Sequence, residues 1–357
     1  MEKYSLIVKT AEAEIRALEN IPQERISKLL PIIELTRGRK ITRNNQVFYP
    51  FDKRLDKLKK IFKGIEVCID VTSEDSLASL ETKMLYNPKD GYAHWISFLT
   101  GLKEENVFSN IIPTILWNYN DPYFQENISR QITSLVEIFG VVAYRNPIED
   151  DNFYDDLTEF LAETPTIFIL DCGYVPQASY NNVAERCIAR ISNIKSIFRD
   201  PDTKYIIAST SYPNNVRMFG DLNTDVLKLT EIDLYNAVAK IHPDIYYGDY
   251  GSINPIRNDT IIMAHGWRPR IDVALKDVVF YHRQKRPTGI TSYAGTYIQV
   301  AKACVNDKSF PSDINNIWGL RQIQLCADGS VPSSSPSFWI SVRMNTHIQQ
   351  QILSRFL

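Results

Sequence analysis

Between residues 4 and 249, short apolar runs rich in β-branched residues alternate with stretches whose apolar positions fall three and four apart. Alternation of this kind predicts strands and helices in turn. The strand-like runs are residues 4–9 (YSLIVK), 29–35 (LLPIIEL), 66–71 (EVCIDV), 111–118 (IIPTILWN), 141–145 (VVAYR), 166–172 (TIFILDC), 205–209 (YIIAS) and 244–249 (DIYYGD). The helical stretches carry Ile15 and Leu18; residues 52–62 before Gly64; Ile128, Ile132, Leu135 and Phe139 before Gly140; Phe153, Leu157 and Phe160; and Val183, Cys187, Ile191, Ile194 and Phe198. A further helix opens near Thr230, three residues before Asp233, in the pattern of a capping box.

Eight strand–helix units within about 250 residues predict a closed (β/α)8 barrel of the TIM type, the usual length of that fold. An open doubly wound sheet alternates in the same way but carries a glycine-rich phosphate turn after its first strand. The corresponding segment here, VKTAEAE, has no glycine. Residues 1–251 are therefore read as the barrel and 252–357 as a C-terminal extension. In the extension, residues 270–275 and 278–283 form a hairpin across Lys276 and Asp277, residues 292–305 a helix, and the segment after SVPSSSPS a last helix. Because it leaves the C-terminal end of the eighth strand, this extension is expected over or beside the barrel mouth.

Composition narrows the classes. The 357-residue chain has a formal net charge of −2, so bulk attraction to polyanions is not expected and any nucleic-acid contact has to be local. Five scattered cysteines, none in CxxC spacing, support neither a zinc framework nor disulfides. The sequence has no signal-peptide pattern at its start and no run near the roughly 20 apolar residues of a membrane span. The expectation is a reduced, cytoplasmic protein that does not enter membranes.

Five strands carry a charge at their C-terminal ends: Lys9, Glu34, Asp70, Arg145 and Asp171. Strand C-termini of a barrel surround one mouth, so Glu34, Asp70, Asp171 and also Asp249 are candidate catalytic carboxylates although far apart in the chain. Acids gathered there repel unless cations intervene. Lys9 and Arg145 are candidate clamps for anionic oxygens, with Ser209, Thr210, His282, Arg283 and His347 as further substrate-binding candidates. Asp70, Asp171 and Asp249 are the candidate ligands for a hard ion such as Mg²⁺. The expected partner is a small polar or phosphorylated ligand. The basic, aromatic stretch 268–286 keeps nucleic acid in view. His94 reads as a packing residue beside Trp95 and Phe98. No GxSxG, HExxH, P-loop or GxGxxG motif is present.

The opening YSLIVKTAEAEIRAL, the second-strand PIIEL, the GDYGSINP that ends the eighth strand, the RPRI and VVFYHRQ hairpin and the closing WISVRMNTHI together resemble the beta protein family of bacteriophages and bacterial mobile elements. The resemblance runs in register over nearly the whole chain. It departs from the family pattern where an arginine after the tryptophan and two adjacent histidines are replaced by Ile340 and the pair Thr346-His347. The resemblance implies a setting in phages or mobile elements and in phage–host conflict. It implies no particular reaction. Two functions follow as expectations: an enzyme, a metal-assisted hydrolase or lyase of a phosphorylated or nucleotide-like substrate, or a non-catalytic binding or effector protein.

Overall fold

The computed structural model describes residues 3–150, 161, 164–198, 202–214, 218, 220–256 and 267–357. Eight parallel strands form one sheet: β1 Tyr4–Lys9, β2 Leu29–Leu35, β3 Glu66–Val71, β4 Asn110–Pro113, β5 Val142–Pro147, β6 Thr166–Tyr174, β7 Lys204–Thr210 and β8 Ile245–Asp249. Each pairs with its chain neighbours, and β1 pairs with β8. Between β4 and β5 the link is a single parallel bridge, Thr114 to Ala143, with Ile115 N–H donating to Ala143 O at 2.9 Å. That bridge closes the cylinder.

Alternation along each strand sets what fills it. Ile7, Ile32, Cys68, Ile112, Ala143, Ile167, Ile169, Ile206 and Ala208 form the buried interior, while Leu6, Val8, Ile33, Ile69, Tyr144, Leu170 and Ile207 face the surrounding helices. Helices Glu12–Glu19, Asp52–Ile61, Phe124–Phe139, Tyr180–Ile197 and Thr230–Ala239 lie where the apolar spacing puts them. Gly140, at φ 77°, ends the third of these in the left-handed conformation that glycine adopts without strain. The expected helical residues Phe153, Leu157 and Phe160 fall outside the described residues.

Some local features differ from the sequence reading. The basic loop after β2 contains a small hairpin, Ile41–Arg43 with Gln46–Phe48. Leu229, not Thr230, precedes the helix Thr230–Ala239, and no side chain caps it. His94 is exposed while its neighbour Trp95 is buried. An added strand, Thr224–Lys228, pairs antiparallel with Val278–Arg283, making a three-stranded sheet with Arg270–Ala274. Its side chains are mostly exposed, so no apolar alternation announced it.

The extension has its own apolar core, built from Ile271, Val273, Phe280, Tyr297, Leu320, Ile323 and Trp339. Its final helix, Pro336–Arg355, serves both cores: Trp339 and Val342 pack in the extension, whereas Met344, Ile348, Ile352 and Phe356 join the barrel core. Phe356 stacks on Tyr4 of β1, with ring centroids 5.4 Å apart, and Asn345 donates to the carbonyls of Ala17 and Asn20 at 2.9 and 3.2 Å. This terminal helix covers β1 and β8 from outside, the place of the helix that follows the eighth strand in a barrel. The described residues between β8 and this helix thus stand as an insertion, and the hairpin leans on the loop after β7, where the Tyr212 hydroxyl donates to Asp272 while Asn254 from the loop after β8 donates to the Tyr212 carbonyl.

Candidate active site at the barrel mouth

The mouth is assembled by one rule applied five times. Two residues beyond the interior Ile7, Ile32, Cys68, Ala143 and Ile169, on the same face of each strand, stand Lys9, Glu34, Asp70, Arg145 and Asp171. Arg145 is the hub. Its Nη1 donates to Glu34 Oε2 at 2.8 Å and to Asp70 Oδ2 at 2.7 Å, and its Nε and Nη2 make a fork on Asp171 Oδ2 at 3.0 and 2.8 Å. Tyr250, just past β8, brings its hydroxyl to Arg145 Nη2 at 3.1 Å and donates to Asp171. Lys9 sits 3.7 Å from Glu34 and 5.4 Å from the Tyr250 ring centroid. Among the described residues its ammonium has no closer ionic partner.

Two cations therefore face three carboxylates in a site whose side chains are at most 14% exposed. The surplus negative charge is not shared evenly. Burial would raise the Glu34 carboxyl, but Lys9 and then Arg145 override it and hold the group down at about 2. For Asp70 burial prevails over Arg145, Glu34 adds repulsion, and its carboxyl is raised. Tyr250, buried and beside Asp171, is raised well above the ordinary phenol value, so it stays a donor. The Thr114 hydroxyl lies 3.0 Å from the Ile69 carbonyl and 2.8 Å from Asp70 Oδ1. The Thr114 hydroxyl thus donates toward both oxygens, and its bond to Asp70 favours the ionised carboxylate, against the effect of burial.

The fit of a hard metal ion at the mouth can be tested on these contacts. Asp70 Oδ1 accepts from Val71 N–H and Asp70 Oδ2 from Arg145; Asp171 Oδ1 accepts from Gly173 N–H and Tyr250, and Oδ2 from Arg145. No oxygen of Glu34, Asp70 or Asp171 is buried without a hydrogen-bond partner, so these contacts do not point to a bound Mg²⁺. The set Asp70, Asp171 and Asp249 is not brought together at all, because Asp249 points the other way. On β8 the inward residues are Tyr246 and, past its end, Tyr250, so Asp249 lies on the outer face. Counting by twos from the apolar residues of that strand finds Tyr250; following the charged residue does not.

The other candidates are placed as follows. Thr210 shares the inward parity of Ala208, whereas Ser209 pairs in register with Asp249 on the outside. His282 contacts Asp307 at 3.1 Å on the extension. Arg283 donates to the carbonyls of Leu222 and Gly220, holding the loop before the Thr224–Lys228 strand. Much of the remaining basic stretch is similarly engaged: Arg270 with Asp272, Arg268 with Asn223 and Arg286 with the Thr291 carbonyl. Phe280 and Tyr281 are buried.

Comparison with known proteins adds the lineage. The family model described as Beta protein matches residues 4–353. The chain belongs to the Beta protein family. Its similarity to Protein beta of Enterobacteria phage P4 is 29% identity over 362 residues, covering 98% of this chain and 94% of that protein. Among solved structures, a glycoside hydrolase family 5 protein from Bacteroides vulgatus matches with TM-score 0.41 and 11% identity over 70% of this chain and 58% of its own. The Bacillus subtilis mannanase BCman matches with TM-score 0.36 and 10% identity over 75% and 90%. Such slight likenesses transfer no chemistry to this Beta protein.

In this member of the Beta protein family, three of the segments that carry the resemblance converge on Asp249. Tyr4 from YSLIVK and Tyr247 both donate to it, the latter at 2.7 Å. His347 from the closing WISVRMNTHI reaches its Oδ2 at 2.7 Å. Gly251 N–H donates to Oδ1 at 2.8 Å. Burial opposes ionisation of Asp249, yet His347 and these donors hold its carboxyl below the ordinary value. Beside it Glu231 has fewer donors, and burial, partly offset by His347, pushes its carboxyl up to about 7. No helix among the described residues is long and apolar enough to cross a membrane.

Proposed function

We propose that this Beta protein is an enzyme whose barrel mouth performs general acid–base chemistry, as a hydrolase or lyase, on a small phosphorylated or nucleotide-like ligand. One observation carries the reading: three buried carboxylates from three strands converge on Arg145 beside Lys9, and their carboxyls are driven apart, Glu34 down and Asp70 up. Neighbouring carboxylates separated in this way take different roles. Asp70, whose carboxyl is raised, exchanges the proton with the ligand, Glu34 stays ionised as a fixed negative charge, and Lys9 meets the anionic group of the ligand. Arg145, Asp171 and Tyr250 hold those groups in place. Because no buried oxygen of these carboxylates is left without a partner, no step is assigned to magnesium.

A second reading, ligand capture without turnover in phage–host conflict, is favoured by that same full occupation of the carboxylates. The two readings separate in one experiment. A panel of nucleotides and sugar phosphates is screened by thermal shift, and any stabilising ligand is then followed for conversion by ³¹P NMR. Enzyme action predicts a ligand that raises the melting temperature of the wild type but not of Lys9→Gln, and whose conversion falls at least about 100-fold in Asp70→Asn with binding retained. Binding without conversion by the wild type supports the capture reading; no stabilising ligand in the panel overturns both.

A further inference from the structure

On the outer face of β8, separate from the mouth, three metal-ligating side chains meet. Glu231 lies in the first turn of the Thr230–Ala239 helix, Asp249 ends β8, and His347 projects from the terminal helix. Their relative exposures are 1%, 0% and 0%, and one ligand atom of each lies within 4.8 Å of the other two.

Hydrogen bonding leaves this pocket incomplete. Glu231 Oε1 and His347 Nδ1 are buried without a hydrogen-bond partner, as are the hydroxyls of Ser209, Ser211 and Ser252. Ser209 is the register partner of Asp249, and Ser211 N–H donates to Glu231 Oε2 at 2.9 Å. Buried polar atoms are nearly always satisfied, so a group of orphans around two carboxylates and an imidazole points to something bound between them. A buried water would bridge some of these atoms, whereas an ion would engage the orphaned carboxylate oxygen and the orphaned imidazole nitrogen together.

We propose that Glu231, Asp249 and His347 bind a divalent transition-metal ion, zinc or manganese, that fastens the terminal helix to the barrel wall. One nitrogen with carboxylate oxygens suits those ions better than magnesium, which prefers oxygen alone and keeps much of its water. Tyr4 and Tyr247, donating to Asp249, support the ligand from outside as outer-shell groups do in metal sites. The ion links β8, the helix after β7 and the last helix of the chain. Its role is in holding the barrel closed, independent of the chemistry at the mouth.

The test uses the full chain, stripped with chelator and then incubated separately with zinc, manganese and magnesium. Metal retained after desalting is measured by mass spectrometry, and thermal unfolding is followed in parallel. Wild type is expected to retain about one equivalent of zinc or manganese and to melt at a higher temperature with it. Glu231→Gln, which preserves shape, loses both effects, as does His347→Gln; Asp171→Asn, altered only at the mouth, keeps both. Retention by the wild type no greater than by Glu231→Gln overturns the proposal and assigns the pocket to buried water.

Discussion

Arg145 concentrates the electrostatics of the mouth in one guanidinium. Its planar fork meets acids from three strands, a task a lysine's single ammonium cannot repeat with the same geometry. The pH dependence of this cluster is set residue by residue. Glu34 has a folded value of about 2 against an ordinary 4.5, so its stabilisation is present above 4.5 and is lost as pH falls toward 2. The contribution at neutral pH is on the order of 3 kcal/mol. Asp70 is raised and works in the opposite sense, favouring the folded state at lower pH. Urea unfolding of Glu34→Gln between these pH values is therefore expected to show a shallower decline toward acid than wild type. Parallel profiles for the two proteins would contradict the assignment.

At the scale of elements, close approach decides more than propensity. Gly319, in the helix Trp318–Ala327, lies against the terminal helix so tightly that an added Cβ would stand 2.3 Å from Thr346 Oγ1 and 2.6 Å from the Val342 carbonyl. Gly295, in the adjoining helix Ala294–Val305, has nothing within 4 Å of that position. Gly319→Ala is expected to lose about 1–3 kcal/mol by forcing the helices apart. Gly295→Ala is expected to be neutral or to gain up to about 1 kcal/mol through helix propensity. Chemical denaturation of the pair checks both signs. The strands show the same dependence on neighbours: β1, β2, β3, β5 and β6 declare their mouth residues two positions past an interior residue. On β8 that parity selects Tyr250, while the conspicuous acid next to it faces the terminal helix.

For the whole molecule, the placing of the terminal helix is the main organising fact. It stacks on β1, fills the wall beside β8 and shares its length between the two cores. A chain ending at residue 335 is accordingly expected to lack cooperative unfolding, since Tyr4, Asp249 and the helix Glu12–Glu19 would lose their cover. A circular-dichroism melt of that truncation measures it; a sharp transition near that of the full chain would show that the barrel closes without the last helix.

The chain's apolar periodicity by itself determined the eight strands and several of the helices between them, and alternation by twos places Lys9, Glu34, Asp70, Arg145 and Asp171 on inward faces. Those properties are local, written into spacings of two and of three or four. What the tertiary structure decided involves contacts between distant segments: the partnership of Asp249 with His347, the pairing of an exposed strand with the hairpin, and the return of the last helix to the barrel wall. Sequence spacing cannot express these, because a helix that carries apolar residues on several faces is compatible with many partners until the whole cylinder exists to receive it.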